Sequence, residues 1–305
     1  MLGLMRKLFS ILTDSLLIWS RNFTLIYVFL LALLLLQIFI PTNETPTLEM
    51  RWFLLAGVIL LLFAAMMSGF YGMVALACER FMSRPREQVL REASPVDALT
   101  LFQGFFPGIS RYLLPVVGGY LIQFGMAALL VLPMQSLLVK YAPLLQKMSL
   151  LRLDDRMKML TAMPLAQQDD FLALSSMLLG AMVAFALFTL ATILWPAFVV
   201  YYRNNPLRAC FRSMMQFFKD PLTMIGLVSI LFGIRVPLFL LNSVGVGGGN
   251  FLISMLVLLL DLFAEIFIAI LVFVYVYQTV GKPTPVPEEP EPPAPSSPDD
   301  ADNGW

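Results

Sequence analysis

The chain has 305 residues and a formal net charge of zero, and 59% of its residues are hydrophobic. Soluble domains are about 45–50% apolar, so this excess is typical of membrane proteins. A neutral chain has no general attraction to nucleic acid, and we expect no nucleic-acid partner. The chain has no histidine, and its two cysteines lie far apart in sequence. Because histidine and clustered cysteines are the commonest metal ligands, we expect no metal and no cofactor.

The N-terminal segment, residues 3–21, is predicted to form an amphipathic helix. Its basic residues and its tryptophan suit lipid headgroups, so the pattern favours a helix lying in the membrane interface. The alternative is a helix that packs on protein. The apolar face consists of Leu4, Leu8, Ile11, Leu12, Leu16 and Trp19.

Six apolar runs are long enough to cross a bilayer, which takes about 20 helical residues. The first run is longer than the core of a signal peptide, so we expect an uncleaved anchor. The chain is therefore predicted to be an all-α polytopic membrane protein whose six-span membrane domain covers residues 1–281. The six runs are about 22–41, 52–78, 112–138, 172–202, 222–242 and 251–279.

The placement of Lys and Arg predicts the orientation. Segments on the N-terminal side of the membrane carry 13 of the 20 basic residues, segments on the other side carry six, and Arg235 is the remaining one. By the positive-inside rule, both termini are expected in the cytoplasm of a bacterial cell, with the protein in the inner membrane. The outer loop 139–171 is an exception, because it carries five basic residues. Its apolar stripe predicts a surface helix and consists of Leu150, Leu153, Met157 and Leu160.

The C-terminal segment, residues 282–305, has a different composition. It contains eight prolines and six acidic residues in 24 positions. Such a segment cannot bury a core, so a disordered cytoplasmic tail is predicted. It could bind a protein partner, and the alternative is a solvated spacer.

Similar segments precede the first, third and fifth spans. Ser94–Gly108 and Asn205–Pro221 both begin with a capping residue followed by proline, and both contain a Phe-Phe pair. Ser15–Phe23 aligns with Ser213–Pro221. We therefore predict three units, each an interfacial elbow helix followed by a transmembrane hairpin, over about 4–79, 94–203 and 205–280. The alternative is a chance likeness between amphipathic helices.

A family resemblance is carried by short motifs. The second half supplies Pro196-Ala197, Val199 to Tyr202, Asn205-Pro206, Ala209, Ser213 and Asp220-Pro221, and the first half supplies Gly69 to Gly72, Gly104-Phe105 and Tyr112. The pattern resembles a loose group of bacterial and archaeal six-helix membrane proteins of unknown function. It is also similar to the membrane domain of some glycerophosphodiester phosphodiesterases. The resemblance implies a six-helix fold and brings no catalytic residues.

Three ionisable residues lie inside apolar runs: Arg235 in the fifth span, and Asp261 and Glu265 in the sixth. The spacing of the two carboxylates places them on one face of a helix. Arg235 and Asp261 are about equally far from the loop that joins the two spans, so we predict that they pair. The pair either locks the hairpin or belongs to a path for a solute or a proton, and an unpaired Glu265 would favour the path.

Prolines and glycines interrupt the predicted spans. Pro115, Pro133 and Pro196, with Gly118, Gly119 and Gln123, are typical of transporter helices that line cavities. Other glycines are expected to allow close helix packing, namely Gly57, Gly69, Gly72 and Gly180.

The sequence contains no zinc-protease, serine-hydrolase or phosphate-loop motif, so we predict that the protein is not an enzyme. We predict a membrane-organising or lipid-organising role, or assembly with a partner. The alternative is a transporter or channel for a small solute or ion that uses Arg235, Asp261 and Glu265. A lipid-modifying enzyme is a third hypothesis.

Overall fold

The structure is a computed structural model that describes residues 2–22, 24–28, 30, 50–84, 98–149, 164–203, 205–247 and 251–281. All regular structure in these residues is helical, which confirms the predicted all-α class. The helices are α1 (Leu2–Arg21), α2 (Met50–Met82), α3 (Ala98–Phe102), α4 (Phe105–Val131), α5 (Gln135–Ser149), α6 (Leu165–Ala191), α7 (Trp195–Tyr202), α8 (Pro206–Lys219), α9 (Pro221–Gly247) and α10 (Phe251–Val280).

Five stretches of the described residues are helical, long and apolar enough to cross a membrane. They correspond to the second to sixth predicted spans, so the chain is a helical membrane protein. The predicted first span, 22–41, lies mostly outside the described residues, as does the tail 282–305. Six spans and a threefold repeat stay predictions. The five stretches are Leu55–Met82, Thr100–Leu144, Gln167–Tyr202, Pro221–Leu241 and Met255–Val280.

Helices extend into the predicted outer loop 139–171 from both sides. Helix α5 continues to Ser149, and α6 begins at Leu165. Lys140 and Tyr141 on α5 both donate hydrogen bonds to Asp170 on α6, at 2.5 Å and 3.1 Å. Polar residues that would suit a loop thus hold two extended helices together. The predicted surface helix over residues 150–160 lies outside the described residues.

The prolines interrupt the helices at two of the predicted places. Pro133 lies in a short 3₁₀ turn, Leu132–Met134, and Pro196 follows a break between α6 and α7. Pro115 and Pro237 lie inside continuous helices. A proline removes one backbone hydrogen bond, and neighbouring helices can hold the rest of the helix in place.

The large core lies at one end of the bundle. There the final turns of α2 and α10, the start of α4 and all of α7 bury bulky side chains. Farther along α4, α6 and α9, most apolar side chains are exposed, as expected of lipid-facing helices. The largest fully buried residues include Phe70, Phe198, Phe273, Tyr275, Ile18 and Leu194.

Helices α1, α3 and α8 lie at the same end as this core, which we call the elbow side. Helix α3 contacts α2, α8 contacts α4 and α7, and α1 contacts α9 and α10. Each elbow helix therefore packs on a hairpin that belongs to another predicted unit. Lys7 on α1 also forms a 2.7 Å ion pair with Asp220 at the end of α8.

The predicted helix over residues 3–21 is confirmed, and the contacts of its apolar face match the alternative of a helix that packs on protein. Leu8 packs against Gly226, and Trp19 makes edge contacts with Phe263 and Phe267. Much of the predicted interfacial face thus packs on protein, and Met5 and Phe9 are exposed instead. Apolar periodicity cannot distinguish the two faces, because lipid and protein interior are both apolar.

Glycines allow α2 and α4 to cross closely. A Cβ atom on Gly72 would lie 2.7 Å from the carbonyl oxygen of Gly104, and one on Gly108 would lie 2.8 Å from that of Ser68. The predicted packing role is confirmed for Gly69 and Gly72. At Gly57 and Gly180 the structure shows no such close approach, since no described atom lies within 4 Å of a Cβ atom built there.

Candidate functional site

The charge cluster comprises Arg235 on α9 and Asp261 and Glu265 on α10. The Arg235 Nη1 atom lies 3.3 Å from Asp261 Oδ1, and its Nη2 atom donates to Glu265 Oε1. The predicted pair is confirmed, and Glu265 is paired as well. Arg235 lies about 21 Å along α9 from Pro221, at 1.5 Å per residue, so the cluster is at membrane depth. One guanidinium group thus forms ion pairs with two carboxylates.

The cluster is only partly enclosed. The side chains of Arg235, Asp261 and Glu265 are 44%, 48% and 36% exposed. When all three groups are ionised, one positive charge faces two negative charges. A charge in contact with hydrocarbon is costly, so this arrangement favours a polar crevice or a polar partner beside the hairpin.

Two tyrosines meet between neighbouring helices of the bundle. The hydroxyl oxygens of Tyr71 on α2 and Tyr120 on α4 are 3.4 Å apart.

The glycines of the third predicted span pack against protein. A Cβ atom on Gly118 would lie 2.7 Å from the Cγ atom of Pro206, and one on Gly119 would lie 2.4 Å from the Trp195 ring. These two glycines make room for the start of α8 and for α7. Their presence is therefore no evidence for a transport path.

An open cavity of about 770 Å³ lies on the elbow side, between the ends of α2, α7 and α10 and the start of α4. Arg80, Arg111 and Arg203 line it, with Glu79 the acidic residue among its described lining. In the sequence these arginines contribute only to the predicted orientation, and the cavity was not predicted. A signal for the cavity was present in the sequence, because three spans have an arginine at their elbow-side end. The predicted repeat would bring these three ends together.

Comparisons with family models, with curated proteins and with solved structures gave no match. The resemblance to six-helix membrane proteins stays a prediction. Among the described residues no group of three or more histidine, cysteine or acidic residues could hold a metal ion, and Cys78 and Cys210 are free.

Proposed function

We propose that this protein is a non-enzymatic membrane protein that organises the lipids of one leaflet through its elbow helices. The observation that carries this proposal is a set of exposed apolar side chains on all three elbows. These side chains lie on the same side of the spans, where headgroups and acyl chains meet.

Helix α8 gives the clearest pattern. Its buried face consists of Ala209, Cys210 and Ser213, which pack on the bundle. Its opposite face exposes an apolar stripe at intervals of three and four residues, and basic residues flank it. This combination is typical of a helix lying in the interface. The stripe consists of Leu207, Phe211, Met215 and Phe218, and the basic residues are Arg208, Arg212 and Lys219.

The other two elbows expose similar side chains. On α1, Met5 and Phe9 are exposed. Beside the second elbow, Phe102 and Phe106 are exposed at the α3–α4 turn. Aromatic side chains favour the interface region of a bilayer, so the three elbows together would order lipid around the bundle.

The arrangement of the elbows supports the predicted threefold repeat. Each elbow packs on a hairpin of another unit, and α1 closes the series by packing on α9 and α10. Three like units related by an axis along the membrane normal would make such contacts. The elbow side carries most of the basic residues, which supports a cytoplasmic location in a bacterial inner membrane. The tail 282–305 would then extend into the cytoplasm, where a protein partner could bind it.

Spin-label depth measurements test the interfacial position of α8. In a chain with Cys78 and Cys210 replaced by serine, a label at Phe218→Cys should be more accessible to oxygen than to a water-soluble nickel chelate. A label at Phe239→Cys on α9 is the matched control, because the two native side chains are 74% and 72% exposed. High nickel accessibility at position 218 would contradict the proposal, because the stripe would then face water.

A transporter or channel is the second candidate, and the partial exposure of Arg235, Asp261 and Glu265 favours it. A water-accessible crevice predicts that Gly233→Cys reacts with a charged, membrane-impermeant thiol reagent. Gly125→Cys on α4 is the control, because a Cβ atom has open space at both positions. Complete protection of position 233 would count against this candidate.

A further inference from the structure

We propose that the elbow-side cavity binds a phosphate group through Arg80, Arg111 and Arg203. The proposal deepens the proposed function, and it rests on it for the source of the phosphate, a phospholipid headgroup. A soluble phosphate ester has the same recognition chemistry, so the experiment below separates the two sources.

The three arginines converge from separate elements. Arg80 lies near the end of α2, Arg111 lies in the second turn of α4, and Arg203 ends α7. The tight crossing of Gly72 and Gly108 lines the cavity between α2 and α4. A volume of about 770 Å³ lies within the roughly 300–1,000 Å³ of ligand pockets and exceeds what one phosphate needs. The cavity can therefore hold a whole headgroup.

The charge of the described cavity lining is unbalanced. Three arginines face one acidic residue, Glu79, and among the described residues none of the three forms an ion pair. Guanidinium groups bind phosphate oxygens through paired, charge-assisted hydrogen bonds. An anion among these arginines would offset their mutual repulsion, which favours a phosphate over a neutral or cationic ligand.

The backbone of Arg203 gives an independent observation. Arg203 ends α7 with φ 46° and ψ 38°, and it has the one positive φ among the described non-glycine residues. Glycine adopts this conformation at lower cost and is the usual residue at such a helix end. An arginine at this position costs more backbone conformational free energy than a glycine would. Such a cost is expected where the residue is needed for binding.

The position of the cavity favours lipid as the source. It lies on the elbow side. Gln103 and Gly104 in the turn after α3 border it, as does Arg203 at the end of α7, shortly before the third elbow. Basic pockets between transmembrane helices at this level bind anionic headgroups. The exposed side chains of the elbows would hold the acyl chains of the same lipid.

Thermal unfolding of the purified full-length chain in dodecyl maltoside tests the proposal. The added compounds are phosphatidylglycerol, phosphatidylcholine, glycerol 3-phosphate and inorganic phosphate, each titrated separately. The variants are Arg80→Gln, Arg111→Gln and Arg203→Gly. Arg208→Gln is the matched control, because it removes one exposed charge from the elbow side outside the cavity.

Phosphatidylglycerol should raise the unfolding midpoint more than phosphatidylcholine, and each cavity variant should weaken its apparent affinity at least about tenfold. Arg208→Gln should keep the wild-type response. Arg203→Gly is the sharpest variant, because it should unfold no earlier than wild type without ligand and still respond less to ligand. An arginine-dependent shift with glycerol 3-phosphate or inorganic phosphate alone would support the phosphate site and assign it a soluble ligand.

Equal shifts in the cavity variants and in Arg208→Gln would overturn the proposal, because the lipid would then act on surface charge in general. No shift with any of the four compounds would also overturn it. Neither result would change the oxygen and nickel accessibilities of the spin label on α8. Failure of the cavity and failure of the lipid-organising function are therefore distinguishable.

Discussion

Ser213 on α8 donates a 2.8 Å hydrogen bond to the backbone carbonyl of Ala191, the last residue of α6. The same hydroxyl accepts a 3.1 Å hydrogen bond from the amide of Leu194. The helix is broken between these residues, so their backbone groups lack regular partners. One fully buried hydroxyl on the third elbow thus satisfies the two free backbone groups at the break in the second hairpin. It also links α8 to that hairpin.

Replacing Ser213 by alanine should destabilise the protein by about 1–3 kcal/mol, because it leaves a buried donor and a buried acceptor unsatisfied. Thermal unfolding in detergent measures the effect. Ser229→Ala is the control, because that hydroxyl is exposed and, among the described residues, bonds to the Ile225 carbonyl of its own helix. Equal unfolding midpoints for the two variants would show that the Ser213 hydroxyl does not stabilise the backbone at the helix break.

Glycine substitutions should have opposite effects at close and open positions. Gly108→Ala should destabilise by about 1–3 kcal/mol, because its Cβ atom would lie 2.8 Å from the Ser68 carbonyl oxygen. Gly57→Ala has nothing within 4 Å and should be neutral or stabilising by up to about 1 kcal/mol. Unfolding midpoints of the two variants check the difference, and similar midpoints would contradict the close crossing of α2 and α4.

The charge cluster predicts an order among its variants. Arg235→Gln leaves two carboxylates without a cation and should cost about 3 kcal/mol. Asp261→Asn leaves the pair between Arg235 and Glu265 and should cost about 1 kcal/mol. The triple neutral variant should recover most of the loss. If Arg235→Gln is as stable as wild type in detergent, the cluster is not a structural lock, and ions and solutes become the next test.

The ion pair between Lys7 and Asp220 predicts a pH dependence. Burial alone would raise the pKa of Asp220, but hydrogen bonds from Lys7 and Thr223, with the charge of Lys7, hold that pKa below its ordinary value. The unfolded chain binds this proton more readily, so the pair stabilises the fold above the unfolded pKa. This contribution is lost as the pH falls through the lower, folded pKa.

Because Lys7 and Asp220 are partly exposed, the contribution should be about 1 kcal/mol or less. Asp220→Asn should cost this amount at pH 6 and show no cost at pH 2–3. Unfolding midpoints of wild type and variant across this range check the sign. A cost that persists unchanged at low pH would assign the effect to helix capping and not to charge.

Local signals in the sequence predicted the third elbow well. Asn205 caps α8 by accepting a 3.1 Å hydrogen bond from the Leu207 amide, and the helix ends at Lys219, just before Asp220-Pro221. Capping and termination depend on neighbours in sequence, so one chain is enough to predict them.

Features that depend on distant residues were harder to predict. The extended α5 and α6 bring Lys140 to Asp170, and the cavity is lined by Arg80, Arg111 and Arg203 from separate elements. Apolar periodicity found the spans, but it could not tell which side of α1 faces lipid. The pair between Arg235 and Asp261 was predictable, because a tight hairpin fixes the depth of both residues.

The most direct test of the central claim is the lipid composition around the protein after extraction in styrene–maleic acid polymer discs, measured by mass spectrometry. A lipid-organising function predicts more anionic phospholipid around the protein than in the bulk membrane. A variant with Phe9, Phe211 and Phe218 replaced by serine should reduce this enrichment, because the elbows would hold fewer acyl chains. A control with Leu179, Met182 and Phe239 replaced, equally exposed but away from the elbows, should keep it. Lipid in wild-type discs that matches the bulk membrane would contradict the claim that the elbows organise a leaflet.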